Sequence, residues 1–222
     1  MASRSNAIEE LTRFWLESRH GCLTGESIPV PVPYALSDID LVAVTRDSGR
    51  IELPCGALGP RIIVETKDEH DWEPTGGEFG QLLQSDIGKM GDGRFIPKGQ
   101  KGVKFTMLRQ EHYERARDYF DSEDFDRLFV VHAIAPDVLC TNGGFLAERR
   151  IHFVAIADVI ADLYEWYGAH TRKAALRHTL IGDLWHLLVG FCGCCPRPRE
   201  SRPMTNSQLT THDSQLPGGG ER

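Results

Sequence analysis

Apolar residues Ile8, Leu11, Trp15 and Leu16 recur at helical spacing among charges, which predicts a helix over residues 7–20. Residues 22–32 are extended and punctuated by prolines, the pattern of an irregular edge strand. The run Asp40-Leu-Val-Ala-Val-Thr45 predicts a short buried strand, closed by the turn signal Arg46-Asp-Ser-Gly49. Residues 51–60 carry Pro54, Gly56, Gly59 and Pro60, so they form a hairpin tip or an excursion. Arg61-Ile-Ile-Val-Glu-Thr-Lys67 then reads as a central strand, because both of its faces are apolar before Glu65.

Thr75-Gly-Gly-Glu78 is a capping box that opens a helix running to about Met90, with Phe79, Leu82, Leu83, Ile87 and Met90 as its stripe. Residues 91–104 are rich in glycine and lysine and read as a loop. A helix over about 109–121 follows, then a strand from Leu128 to Ile134 and another from Ile151 to Ile156. Helices over about 158–167 and 172–190 complete the pattern, with Tyr164, Trp166 and Tyr167 expected in the core. The order predicts an α/β fold, a central sheet with helices on its faces. Residues 1–190 are expected to form one domain. Residues 191–222 are expected to be a disordered tail rich in cysteine, proline and glycine, since their composition offers too little apolar surface to offset ordering entropy.

Composition narrows the class. A chain that is 41% apolar and 26% charged is globular, and its longest apolar stretch, 184–192, is too short to span a bilayer. With no signal-type apolar segment at the start, a cytoplasmic protein without a membrane partner is the simplest expectation. Cys22, Cys55 and Cys140 read as small core or near-core residues; Cys192, Cys194 and Cys195 lack a fourth ligand at zinc spacing. His132 and His152, set in apolar strands, are expected as core or sheet-face histidines rather than ligands. His70, Asp71 and Glu73 either border a site or belong to an exposed polar loop.

The net charge is −7, yet residues 86–109 hold six basic side chains against two acidic ones. That segment is therefore +4 and the rest of the chain −11. Lys98, Lys101 and Lys104 in the loop are candidates for holding a nucleic-acid backbone.

The chemistry concentrates in Ser37-Asp-Ile-Asp-Leu-Val-Ala-Val44 and Ile62-Ile-Val-Glu-Thr-Lys67. Alternation along a strand puts Glu65 and Lys67 on one face, and a carboxylate beside an ammonium at the end of a buried strand is costly unless paired or metal-bound. Asp40 stands at the mouth of the neighbouring strand. Two carboxylates can hold a hard divalent cation, and an ammonium nearby can steady charge on a phosphate.

This pattern resembles the PD-(D/E)XK nuclease superfamily, in which an aspartate precedes one strand and a (D/E)-x-K triplet ends the next. Asp40, Glu65 and Lys67 match those positions; Ile39 stands where the motif's proline would be, and Asp38 competes with Asp40. The resemblance implies a restriction-endonuclease-like mixed sheet flanked by helices and a magnesium- or manganese-dependent nuclease acting on DNA. It implies Asp40, Glu65 and Lys67 as catalytic residues, with Asp40 and Glu65 as metal ligands. A first-helix glutamate often supports the metal in this superfamily, and periodicity cannot choose between Glu9 and Glu10. Gln81 matches a glutamine of exonuclease-like members, although the tyrosine usual four residues later is Ser85. A homodimer is compatible with this reading. The alternative is a catalytically inactive nuclease-fold module for nucleic-acid binding or regulation.

Overall fold

The computed structural model describes residues 7–32, 35–46, 49–53, 56–67, 76–132 and 136–169. Helix α1 (Ala7–Phe14) continues into a wider π turn, Trp15–Arg19. Strands β1 (Cys22–Val32) and β2 (Ala35–Thr45) follow, then a small hairpin of β3 (Ile51–Leu53) and β4 (Gly56–Leu58). Strand β5 (Arg61–Thr66) leads to α2 (Gly76–Met90), a 3-10 turn at Thr106–Leu108 and α3 (Gln110–Phe120). The remainder is β6 (Asp126–Val131), α4 (Pro136–Glu148), β7 (Ile151–Ala155) and α5 (Ile156–Ala169).

Five strands form one sheet in the order β1-β2-β5-β6-β7. The first three run antiparallel, and β5, β6 and β7 run parallel. The chain is thus mixed α/β. Parallel neighbours need a crossover connection, which α2 with α3 supplies before β6 and α4 supplies before β7. The excursion expected at 51–60 is the β3–β4 hairpin, and β1 is the edge strand its prolines suggested.

Helix α4 had no counterpart in the sequence pattern. Thr141, Asn142, Gly143 and Gly144 occupy its middle, and such residues favour turns over helix. Tertiary packing overrides that preference. Leu146 is buried, Leu139 and Phe145 pack on the core, and the Asn142 amide donates to Gln84 Oε1 of α2 at 3.0 Å. Two further expectations need correction. His132 is exposed because β6, buried on both sides, ends at Val131 before reaching it, and Cys140 is exposed because it falls on the outward side of α4. The capping box, Cys55, the 68–75 segment with His70, Asp71 and Glu73, the helix expected at 172–190 and the tail lie outside the described residues.

The sheet separates two cores. On one face Val42, Ile63, Phe129 and Phe153 pack with Phe79 and Leu83 of α2 and Ala116 of α3. On the other, Leu41, Ala43, Ile62, Val64 and Leu128 pack with Phe14, Trp15 and Leu16, and with Val159 and Leu163 of α5. Tyr164 and Trp166 pack against this second core. Every residue of β6 is buried, as expected for a central strand covered on both sides.

Candidate active site

Strand β2 is longer than its partnership with β5. It pairs with β1 from Ala35↔Val32 to Thr45↔Cys22, skipping Asp40 opposite Ser27, but with β5 only from Val44↔Arg61 to Leu41↔Val64. Beyond Leu41 the β1–β2 hairpin parts from the sheet. Extending the register places Asp40 across from Glu65 and Ile39 across from Thr66. The Thr66 N–H, at this point of divergence, donates instead to Asp40 Oδ2 at 2.6 Å, and the Thr66 hydroxyl donates to the same oxygen at 3.0 Å. The Asp40 side chain fills the split between the strands because an unpaired buried N–H would otherwise cost free energy.

Glu65 is buried, 5% exposed, and both of its oxygens are engaged. Oε1 accepts from Thr106 N at 3.0 Å, from the Thr106 hydroxyl at 2.7 Å and from the Lys67 ammonium; Oε2 accepts from Met107 N at 2.8 Å. The preceding two amides, Lys104 N and Phe105 N, donate to Asp86 Oδ2 at 2.8 and 2.9 Å. Four consecutive backbone donors, 104 to 107, are thereby held by two buried carboxylates. Asp86 is 1% exposed and also pairs with Lys89 at 2.8 Å. This role of Asp86 is not legible from sequence, since a lone acid on an amphipathic helix reads as surface.

Charge divides unequally between the two facing carboxylates. Burial raises the Asp40 pKa from 3.8 to about 7; the Glu65 charge adds to this, and that of Glu9 adds further, against the two hydrogen bonds from Thr66. Burial pushes Glu65 upward too, but the charge and hydrogen bond of Lys67, with the donors Met107 and Thr106, outweigh it and hold Glu65 below its ordinary value. The proton of the pair therefore resides on Asp40.

The structure separates the two candidate glutamates of α1. Glu9 is buried and acts on Asp40, whereas Glu10 pairs with Arg13 at 2.8 Å. Asp38, the competitor of Asp40, is half-buried on the hairpin arm that pairs only with β1, where it faces Pro29. Gln81 is exposed on α2, and no hydrogen bond joins it to Asp40, Glu65 or Lys67 among the described residues. In the basic loop Lys98 pairs with Glu114 of α3 at 2.7 Å, while Lys101 and Lys104 are exposed. His112 of α3 was missed from sequence. It is 1% exposed and its Nε2 lies 2.9 Å from Ser37 Oγ.

A cation would meet a mixed reception. Among the described residues no group of three or more His, Cys, Asp or Glu side chains is gathered to hold a metal. Magnesium, however, keeps several waters and is commonly held by one or two carboxylates. Asp40 Oδ1 carries no hydrogen bond among the described residues, and the charges of Glu65 and Glu9 both act on Asp40. An oxygen so placed among acids suits a hard cation at Asp40. Glu65 fits less well, since by lone-pair count only Oε2 retains acceptor capacity. No described helix is long and apolar enough to cross a membrane. Neither a protein-family model, nor a curated protein, nor a solved structure matches the chain.

Proposed function

We propose that the chain is a metal-dependent nuclease hydrolysing phosphodiester bonds of DNA, with its centre at the split between β2 and β5. The observation that carries this reading is the closeness of Asp40 to the Glu65 strand, bonded to Thr66 and acted on by the charges of Glu65 and Glu9, with Lys67 on the Glu65 carboxylate. The order of helix, antiparallel β1, β2 and β5, helix and parallel β6 also supports the restriction-endonuclease-like arrangement that the motif resemblance implies.

Asp40 would hold magnesium or manganese, with Glu65 contributing through Oε2. Such an ion supplies Lewis acidity toward a phosphate oxygen and acidifies bound water. The chain's own residues prepare that site. Thr66 fixes the direction of the Asp40 carboxylate through two bonds to one oxygen, leaving the other for a ligand. Thr106 and Met107 fix Glu65 in the same way. Lys67, half-buried against Glu65, brings positive charge to where a phosphate would gain negative charge. Lys101 and Lys104 are exposed on a loop anchored to Glu65 through the residues that follow it, and suit contacts to the nucleic-acid backbone.

A second reading is favoured by one feature: the Glu65 charge is already neutralised by Lys67 and three hydrogen bonds. A nuclease fold that binds nucleic acid or regulates, without cutting, would look like this. Incubation with supercoiled plasmid, linear duplex and single-stranded DNA, in magnesium, manganese or chelator, decides between them. The nuclease reading expects cleavage that chelator stops and Asp40→Asn abolishes. Salt-sensitive DNA binding with no cleavage under any of these conditions supports the binding module instead.

A further inference from the structure

The β1–β2 hairpin arm that carries Asp40 has left the sheet and needs other support. Between Ala35 and Asp40, β2 pairs only with the edge strand β1, and β1 itself breaks regularity at Ser27, whose φ is +48°. A two-stranded ribbon of this kind is only marginally stable alone. Helix α3 supplies what the sheet does not. His112 Nε2 meets Ser37 Oγ at 2.9 Å, and one turn later Arg115 Nε donates to Pro29 O at 3.0 Å. Residues three apart share a helix face, so one face of α3 grips both strands of the ribbon. The same stretch of chain begins with Thr106 and Met107, which hold Glu65. The 106–115 segment therefore touches both halves of the split. Its first residues fix the Glu65 side, and its first helical turns fix the Asp40 side.

We infer that His112 is a positioning residue, which through Ser37 sets the place of Asp40 relative to Glu65 and keeps the Asp40–Thr66 hydrogen bonds made. The pairing is specific in kind. An imidazole this deeply buried is expected to be held by a partner, and Ser37 is its side-chain partner. The groups that face His112 are Glu65 from β5, Ser37 and the Asp38 backbone from β2, and Arg109 and Glu111 from its own end of α3. Burial, the largest influence, lowers its pKa, so the ring is neutral and serves as a hydrogen-bonding strut rather than a charge. With 1% of its surface exposed it cannot touch a substrate, so its effect must pass through Ser37.

The test needs neither metal nor activity, and it stands apart from the nuclease reading. Amide hydrogen exchange is measured residue by residue in the metal-free full chain. The reporters are the Thr66 N–H, held by Asp40, and the Met107 N–H, held by Glu65. Ser37→Ala removes the strut without touching Glu65 or the core. The expected result is exchange at Thr66 faster by roughly three- to tenfold, the loss of about one hydrogen bond's protection, with Met107 unchanged. His112→Asn, which shortens the side chain and breaks the reach to Ser37, should reproduce that pattern. His112→Gln keeps a side-chain amide long enough to meet Ser37 and should restore most of the protection. The double variant with Ser37→Ala and His112→Asn should add nothing beyond either alone. Unchanged exchange at Thr66 in Ser37→Ala overturns the inference. Equal acceleration at Thr66 and Met107 also overturns it, because that is general loosening rather than positioning. A parent protein that neither binds magnesium nor cuts DNA would defeat the proposed function while leaving this result intact.

Discussion

Asp40 Oδ2 takes both hydrogen-bond donors of Thr66, the residue between Glu65 and Lys67. One carboxylate oxygen thereby closes the end of the β2–β5 ladder, while the charges of Glu65 and Glu9 act on the same carboxyl. Its protonation is consequently the most sensitive property of the site.

The raised Asp40 pKa predicts a stability slope. A group whose folded pKa lies above its unfolded value stabilises the fold at low pH and loses that contribution as pH rises through the folded pKa. With a shift from 3.8 to about 7, the contribution of Asp40 should fall between about pH 4 and pH 7 by at most about 4 kcal/mol, against the opposite slope of His20 and His112, whose pKa values burial lowers. Asp40→Asn should flatten that part of the profile and melt higher than the parent at pH 8. Denaturant unfolding at a series of pH values reads this directly. Parent and Asp40→Asn profiles that run parallel across that window would mean that the Asp40 pKa is not raised in the fold.

Glu9 and Glu10 should behave differently despite being adjacent. Glu9 is buried and its charge raises Asp40, so Glu9→Gln should let the Asp40 carboxyl titrate at lower pH. Glu10 is committed to Arg13, so Glu10→Gln should leave that titration in place. Carbon-13 detection of the Asp40 carboxyl provides the measurement. Identical curves in the two variants would remove Glu9 from the site.

The three lysines of the loop should not contribute equally to DNA binding. Lys98 is engaged by Glu114, so contact with a phosphate would first break that exposed ion pair. Lys101 and Lys104 are exposed and carry no such pair among the described residues. Neutralising either should reduce the slope of log affinity against log salt by about one, and Lys98→Gln should change it less. Should Lys98→Gln alone carry the salt dependence, the backbone path runs along α3 instead.

The main outline was legible because period-2 and period-3.6 patterns survive wherever an element is covered on one or two faces. Ile62, Ile63 and Val64, buried on both sides, mark β5 by an unbroken apolar run. Helix α4 was illegible because its need is topological: β6 and β7 are parallel and require a crossover, whatever the propensity of Thr141 to Gly144. In the candidate site, Asp40, Glu65 and Lys67 were singled out because each was expected at a strand end; Glu65 and Lys67 do stand at the end of β5, whereas Asp40 lies midway along β2, which begins at Ala35. What alternation could not show is the departure of the β1–β2 ribbon from β5, which turns the Asp40 side chain to Thr66. His112 and Asp86 were invisible for another reason. Their roles depend on partners 75 and 18 residues away, Ser37 and Lys104.

The contrast between Glu65 and Lys67 bears hardest on function. Glu65 holds the amides of Thr106 and Met107 and the Thr106 hydroxyl, so Glu65→Ala leaves buried donors unpaired and should cost roughly 2–4 kcal/mol of stability. Any loss of magnesium binding in that variant is then confounded with local unfolding. Glu65→Gln is the milder change, since it keeps the side chain's size and one acceptor oxygen, although its amide nitrogen then meets a donor that a carboxylate oxygen now accepts from. In the nuclease reading, Glu65→Gln should abolish cleavage and weaken magnesium binding, with a smaller drop in melting temperature than Glu65→Ala. Lys67→Ala should lower the cleavage rate by on the order of a hundredfold while magnesium binding holds or tightens, because a neighbouring positive charge is gone. If Glu65 and Lys67 form only a structural ion pair, both variants destabilise the fold to a similar degree and magnesium affinity does not respond. Calorimetric magnesium titration with melting curves on the three variants separates these patterns without knowledge of the substrate. A parent protein with no measurable magnesium site, combined with equal destabilisation by Glu65→Gln and Lys67→Ala, would leave a salt bridge where the active centre is now placed.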